Sequence, residues 1–273
     1  MEKTYRITVI MGIYNCASTL QEALDSLYAQ TYQNFKIILC DDGSTDDTYT
    51  IASEYIKSKN NIKLIKNKTN IKLAATLNKC LEYADTEYVA RMDGDDISLP
   101  TRFEKEIKFL DENPEYAFVS TAMIYFDEKG NYGRNYPIEK PTKESFRKST
   151  PFCHAPCMVR LSAYKAVNGY TTDKKVERME DYYLWHKMYL KGLKGYNIQE
   201  PLYKMRNDRN AHSRRKISDR IRGYKVDIEI CKNLGLTFPY FYPILHLGKI
   251  FIPWRLIAFF RKKLFISQHT LTM

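Results

Sequence analysis

The chain has 273 residues, 44% hydrophobic and 27% charged, with a formal charge of +11. That apolar content suffices for one sizeable core or two small ones and excludes disorder as an account of the chain. Six cysteines lie scattered without a CxxC pair, which argues against a disulfide framework and for a reducing compartment.

Residues 1–6 run into a strand without an apolar leader core, so no secretory signal is expected. Tyr5 to Ile13 is rich in β-branched residues and reads as a strand broken at Gly12, with a Tyr14-Asn15 loop behind it. Thr19 and Glu22 have capping-box spacing, ahead of a helix that carries Leu20, Ala23, Leu24 and Leu27 on one face. Phe35 to Cys40 predicts a second strand. It ends in Asp41-Asp42-Gly43-Ser44-Thr45-Asp46, and a helix through Tyr49, Ala52 and Tyr55 follows. Ile62 to Ile65 predicts a third strand, Leu73 to Ala84 a helix, and Tyr88 to Met92 a fourth strand. This alternation implies right-handed βαβ units and a parallel sheet.

Ligands of such sheets bind at the carboxyl ends of the strands. Three polar signals fall there: Gly12-Ile13-Tyr14-Asn15, Asp41 to Asp46, and Arg91-Met92-Asp93-Gly94-Asp95-Asp96. The last packs three carboxylates into four residues, and their repulsion is relieved by a hard cation such as Mg²⁺ or Mn²⁺. A solvated acidic turn is the competing reading. Gly94 is expected to let the backbone turn tightly. Neither a Gly-x-Gly-x-x-Gly fingerprint nor a Gly-x-x-x-x-Gly-Lys phosphate loop is present.

Further along, Thr101 to Asn113 reads as an amphipathic helix and Phe118 to Phe126 as a strand. Asp127 to Thr150 lacks periodicity and is taken as an excursion from the sheet. Phe152 to Arg160 resumes a strand. Within it, Cys153-His154-x-x-Cys157 offers half of a zinc site with no second half. Glu180-Asp181 opens a helix in which Tyr183, Leu184, Met188 and Leu190 surround Trp185. Carboxylates in a first turn are stabilised by the macrodipole, so capping alone accounts for them, while the same placement offers a base to a crevice.

From Pro201 onward there are 15 Lys plus Arg against 4 Asp plus Glu, leaving 28 of each before it. The basic excess thus belongs to the C-terminal quarter. Ser213 to Leu234 reads as a basic helix. Phe238 to Phe265 mixes aromatics, prolines and cations whose apolar runs stop short of the roughly 20 residues a membrane span needs. Lying on an anionic membrane surface fits this composition, as does a helical pair packed on the body. No recognition motif accompanies the charge, so nucleic acid is not an expected partner.

The set Val9 to Asn15, Asp41 to Asp46, Arg91 to Asp96 and Glu180-Asp181-Tyr182-Tyr183-Leu184-Trp185 resembles family 2 glycosyltransferases, over about residues 5 to 210. The resemblance implies an α/β, Rossmann-like GT-A fold, with a mostly parallel sheet flanked by helices. It spans residues 1–212, and a basic, aromatic-rich helical extension takes up 213–273. It implies that Gly12, Tyr14 and Asn15 line the nucleotide pocket, that Asp42 meets the uracil edge and that Asp93 lies near the ribose and diphosphate. Asp95 would hold Mn²⁺ or Mg²⁺, and Asp181 would be the catalytic base with Glu180 as fallback. His154 and Arg206 would support the site, and Arg209 and His212 could face the diphosphate. The family often has Pro or Thr where Gly12 stands and glycine near Lys72. Lys72 could therefore meet base or phosphate, or merely start a helix.

The processive members' Gln-x-x-Arg-Trp motif is absent. The expected activity is therefore metal-dependent, inverting transfer of one hexose or N-acetylhexosamine per encounter. The donor would be a nucleotide sugar, UDP-linked above all, and the acceptor a glycan or a lipid-linked hydroxyl in surface-polysaccharide assembly. Such an enzyme would be cytoplasmic and peripheral on the inner face of the cell membrane. A catalytically silent sugar-nucleotide-binding scaffold is the rival expectation, and homo-oligomerisation is left open.

Overall fold

The computed structural model describes residues 4–147, 149–206 and 217–248, and its first half alternates strand and helix. In chain order these elements are β1 (Ile7–Ile13), α1 (Leu20–Tyr28), β2 (Phe35–Asp41), α2 (Thr48–Ile56), β3 (Ile62–Lys66), α3 (Leu73–Leu81) and β4 (Tyr88–Arg91). β1 pairs in parallel with both β2 and β4, and β2 with β3, as βαβ units require. Alternate side chains go to opposite faces. Ile10, Ile38 and Val89 join a core with Leu77 and Trp185, while Val9, Ile37 and Ala90 join a second core with Leu24 and Phe103.

The second half comprises β5 (Ile97–Ser98), α4 (Arg102–Glu112), β6 (Tyr116–Asp127), β7 (Gly130–Asn135), β8 (Met158–Arg160), α5 (Leu161–Ala166), α6 (Glu180–Leu190), β9 (Lys194–Arg206), α7 (Ile217–Asn233) and α8 (Phe241–Gly248). The sheet order is β3-β2-β1-β4-β8-β6-β9-β5, with β7 on β6. β8 is antiparallel to both β4 and β6, so the parallel half ends at β4. The acidic turn leaves from that boundary. Phe118 stacks on Trp185 at 4.5 Å and 15°, fixing α6 against the sheet.

Several expectations change. Thr19 makes no side-chain cap on α1. Its hydroxyl donates to Cys16 O and Gly94 O instead, so the apparent capping box is a long-range tie. The Asp127 to Thr150 stretch is not wholly irregular: β7 pairs with β6, and a short 3₁₀ turn at Lys143–Arg147 buries Phe146. The strand foreseen over Phe152 to Arg160 is reduced to Met158–Arg160, because Pro156 has no N–H to give a ladder. Gly12 lies inside β1 and does not break it. Leu190 is 48% exposed, and Phe118 and Phe152 take its expected place around Trp185. The expected basic helix is α7, and it is not detached: Val226, Ile230 and Cys231 are buried in the same core as Trp185. No helix among the described residues is long and apolar enough to cross a membrane. Arg209, His212 and the stretch from Lys249 onward lie outside the described residues.

Candidate functional site

Two adjoining cavities, of about 430 and 360 Å³, open at the carboxyl end of the parallel strands and share Gly12, Ile13 and Tyr14. The end of β1 is thus the wall between them. A Cβ on Gly12 would sit 3.2 Å from Thr76 Cγ2, so glycine here lets α3 pack close. Tyr14 is 47% exposed beside both cavities.

The larger cavity is organised by Asp42. Its buried carboxylate accepts from Asn67 Nδ2 at 2.9 Å and from the backbone N–H groups of Ile71 at 2.8 Å and Lys72 at 3.0 Å. Gly43 makes this approach possible: it has φ +70°, and a Cβ there would lie 2.8 Å from the Thr69 carbonyl carbon. The clamp holds Lys72 at φ 74° and ψ 160°, a region nearly exclusive to glycine. Lys72 lines the cavity with Asn70, Thr76, Glu177, Arg178 and Glu180. Asn15 lines the smaller cavity, and its side-chain Oδ1 also accepts from Thr45 N–H at 2.9 Å, bracing the loop after β2.

The smaller cavity is floored by the acidic turn. Gly94 has no positive φ; a Cβ there would lie 2.7 Å from Cys16 Sγ. The backbone does turn at Gly94-Asp95, but close approach rather than a positive φ is what calls for the glycine. The three carboxylates stand in different surroundings, although their ligand oxygens lie within 4.8 Å of one another. Asp93 receives Arg91 Nη1 at 2.8 Å and Nη2 at 2.5 Å. Asp96 is 2% exposed and accepts the Arg206 N–H at 2.7 Å. Burial, with the Asp93 and Asp95 charges, pushes Asp96 up to about 8. Asp95 is the exposed member. Its pKa is raised to about 6 by desolvation in the crowded cleft and by the Asp93 charge. This all-oxygen, mutually repelling set suits Mg²⁺ or Mn²⁺, with Asp95 offering the freest oxygens. Arg206 closes the cavity: its Nε donates to Asp95 O at 2.9 Å and its Nη2 to Glu22 at 2.5 Å.

Glu180 and Asp181 form the first turn of α6. Glu180 lines the larger cavity, whereas Asp181, half-buried, is not among the residues lining either of the two. Burial raises Asp181 to about 6, assisted by the Glu180 charge and opposed by the Tyr182 N–H and the Arg91 charge. His154 sits in the loop before β8, with Nε2 2.8 Å from Tyr170 Oη. Burial lowers its pKa well below the usual histidine range, which leaves it neutral. Sequence reasoning missed Cys16 and Arg178 as neighbours of the site, and missed that Arg91 grips Asp93. Cys16 follows one quoted motif and Arg91 opens another, but only the pairing of β4 with β1 sets the two motifs side by side.

The model of the family described as "Glycosyl transferase family 2" matches residues 8–167. EpsE of Bacillus subtilis (strain 168), a glycosyltransferase by name, is 42% identical over 96% of this chain and 95% of its own length. WfaP of Escherichia coli, named as a UDP-Glc:alpha-D-GlcNAc-diphosphoundecaprenol beta-1,3-glucosyltransferase, is 29% identical over 70% of this chain and 73% of its own. Among solved structures, S. aureus TarS 1-349 in complex with UDP-GlcNAc superposes with a TM-score of 0.68 at 21% identity, covering 89% of this chain and 71% of that one. That likeness gives the fold: the GT-A architecture.

Proposed function

Because the chain belongs to glycosyl transferase family 2, we propose that it moves one sugar per encounter from a UDP-sugar to a hydroxyl of a glycan or lipid-linked acceptor, with inversion at the anomeric carbon. The pathway would be surface-polysaccharide assembly. One observation carries the reading. The ends of β1 and β2 and the acidic turn after β4 meet on one cleft that also holds the first turn of α6. The donor named for WfaP and the nucleotide sugar bound by TarS support a UDP-linked donor, and the acceptor named for WfaP supports a lipid-diphosphate carrier.

In this reading Gly12, Tyr14 and Asn15 line the donor site, Asp42 and Lys72 meet the base, and Asp93 lies at the ribose. Asp181 takes the proton from the acceptor hydroxyl as that oxygen attacks. Glu180 stands beside it at the cavity wall. Neutral His154 packs behind, and Arg206 ties the acidic turn to α1. A bound Mn²⁺ or Mg²⁺, held by Asp95, would supply positive charge for the departing diphosphate. The basic segment beyond α8 would seat the enzyme on the anionic inner face of the membrane, and residues 213–273 would then act as the attachment region of a catalytic unit over 1–212. Asp181→Asn tests the assignment: UDP affinity unchanged and transfer abolished are expected, and a variant that still transfers sugar at the wild-type rate refutes Asp181 as base.

A further inference from the structure

We propose that Arg91 is a positioning residue that keeps Asp93 away from the metal and so makes metal binding depend on the nucleotide. The proposal rests on the reading of Asp95 as the metal ligand. Arg91 is the last residue of β4 and is 3% exposed. Both of its outer nitrogens are used on one carboxylate, Nη1 to Asp93 Oδ2 at 2.8 Å and Nη2 to Asp93 Oδ1 at 2.5 Å. The planar fork therefore occupies both oxygens of Asp93 in one plane, a bidentate match that a lysine cannot reproduce.

The sheet, not the turn, sets where that fork stands. The Arg91 N–H donates to Cys157 O at 2.9 Å, and its carbonyl accepts from Arg102 Nη2 at 2.9 Å. Its Nε has no hydrogen-bond partner, so Asp93 is what holds the guanidinium. Burying an arginine with a single carboxylate partner is costly, and aliphatic residues would fill the same strand position.

A function for this arrangement follows from the neighbouring carboxylates. Three free carboxylates within 4.8 Å of one another would chelate a divalent cation without any nucleotide. With Asp93 held by Arg91 and Asp96 by the Arg206 N–H, one exposed carboxylate is left, too few oxygens for a strong site. The donor's diphosphate would supply the rest, so metal and nucleotide would each tighten the other by the same factor.

The test is Mn²⁺ binding to the full chain, followed by electron paramagnetic resonance with and without UDP, for wild type, Arg91→Lys and Arg91→Gln. Wild type should bind Mn²⁺ weakly alone and at least about tenfold more tightly with UDP. Arg91→Lys keeps the charge and loses the fork. It should bind Mn²⁺ alone several-fold more tightly than wild type, and the gain from UDP should shrink by the same factor. Arg91→Gln should go further. Folded Arg91 variants whose nucleotide-free Mn²⁺ affinity equals or falls below that of wild type overturn the proposal, while leaving Asp95 as ligand intact. Should the Arg91 variants not fold, Asp93→Asn decides. A change in Mn²⁺ affinity under about threefold supports Asp93 as a bystander, and a loss as large as that of Asp95→Asn overturns it. No Mn²⁺ binding by wild type even with UDP overturns the metal reading and the Arg91 proposal together.

Discussion

Replacing Lys72 by glycine should make the protein more stable and a poorer nucleotide binder. Lys72 stands at φ 74° and ψ 160°, where a residue with a Cβ stores about 1–3 kcal/mol. Glycine releases that strain but gives the unfolded chain more freedom, a loss of about 0.4–1 kcal/mol. The backbone N–H remains bonded to Asp42 and Asn70, so no hydrogen bond is lost. The balance is a gain of about 1 kcal/mol, or about 2–4 °C in Tm for a chain of this size. If the amine meets the donor as proposed, its loss removes a charge-assisted contact worth about 1.5–3 kcal/mol, which weakens UDP about 10- to 100-fold. Lys72→Ala separates the two effects, because it keeps the strain and loses the amine. Urea unfolding and UDP calorimetry on the three proteins make the measurement. A glycine variant less stable than wild type would refute the strain argument, and an undiminished UDP affinity would remove Lys72 from the donor site.

Glu106 and Arg102 form a fully buried pair whose Arg also holds the Arg91 carbonyl. Glu106→Ala should cost about 3–5 kcal/mol in denaturant unfolding, because it strands a buried charge; a cost below about 1 kcal/mol would contradict this. The Asp181 pKa is raised to about 6, so the ionised form that the proposed base role needs is lost as pH falls through 6 rather than through the ordinary Asp range near 4. Transfer at saturating donor should then drop about tenfold per pH unit below that point, and a rate level down to pH 5 would exclude Asp181. Removing residues 249–273 takes away five cations and no acidic residue. Co-sedimentation with anionic vesicles should fall sharply while UDP affinity stays constant, and unchanged sedimentation would refute attachment through this segment.

The parallel half of the fold was legible because β1, β2 and β4 are short buried runs and β3 is a short, partly buried run at the sheet edge. In the second half α4, β6, α6 and α7 were legible as elements, but the sheet order was not, since β6 and β9 pair across a long separation and β8 reverses direction between β4 and β6. Local spacing misled at Thr19: its hydroxyl answers to Gly94 O, 75 residues away. Asp93, Asp95 and Asp96 are identical residues in sequence, and only Arg91 and the end of β9 make them differ. At Lys72 the sequence leaves a ligand contact and a plain helix start both open. The unusual backbone there comes from the Asp42 clamp, which forms only once β2 and the loop before α3 are side by side.

UDP calorimetry with and without Mn²⁺, run on the full chain and on Asp95→Ala, tests the metal-assisted donor site most directly. UDP should bind at least about tenfold (about 1.4 kcal/mol) tighter with Mn²⁺, a gain that Asp95→Ala abolishes. Equal UDP affinity with and without metal, or a gain that survives Asp95→Ala, would contradict it.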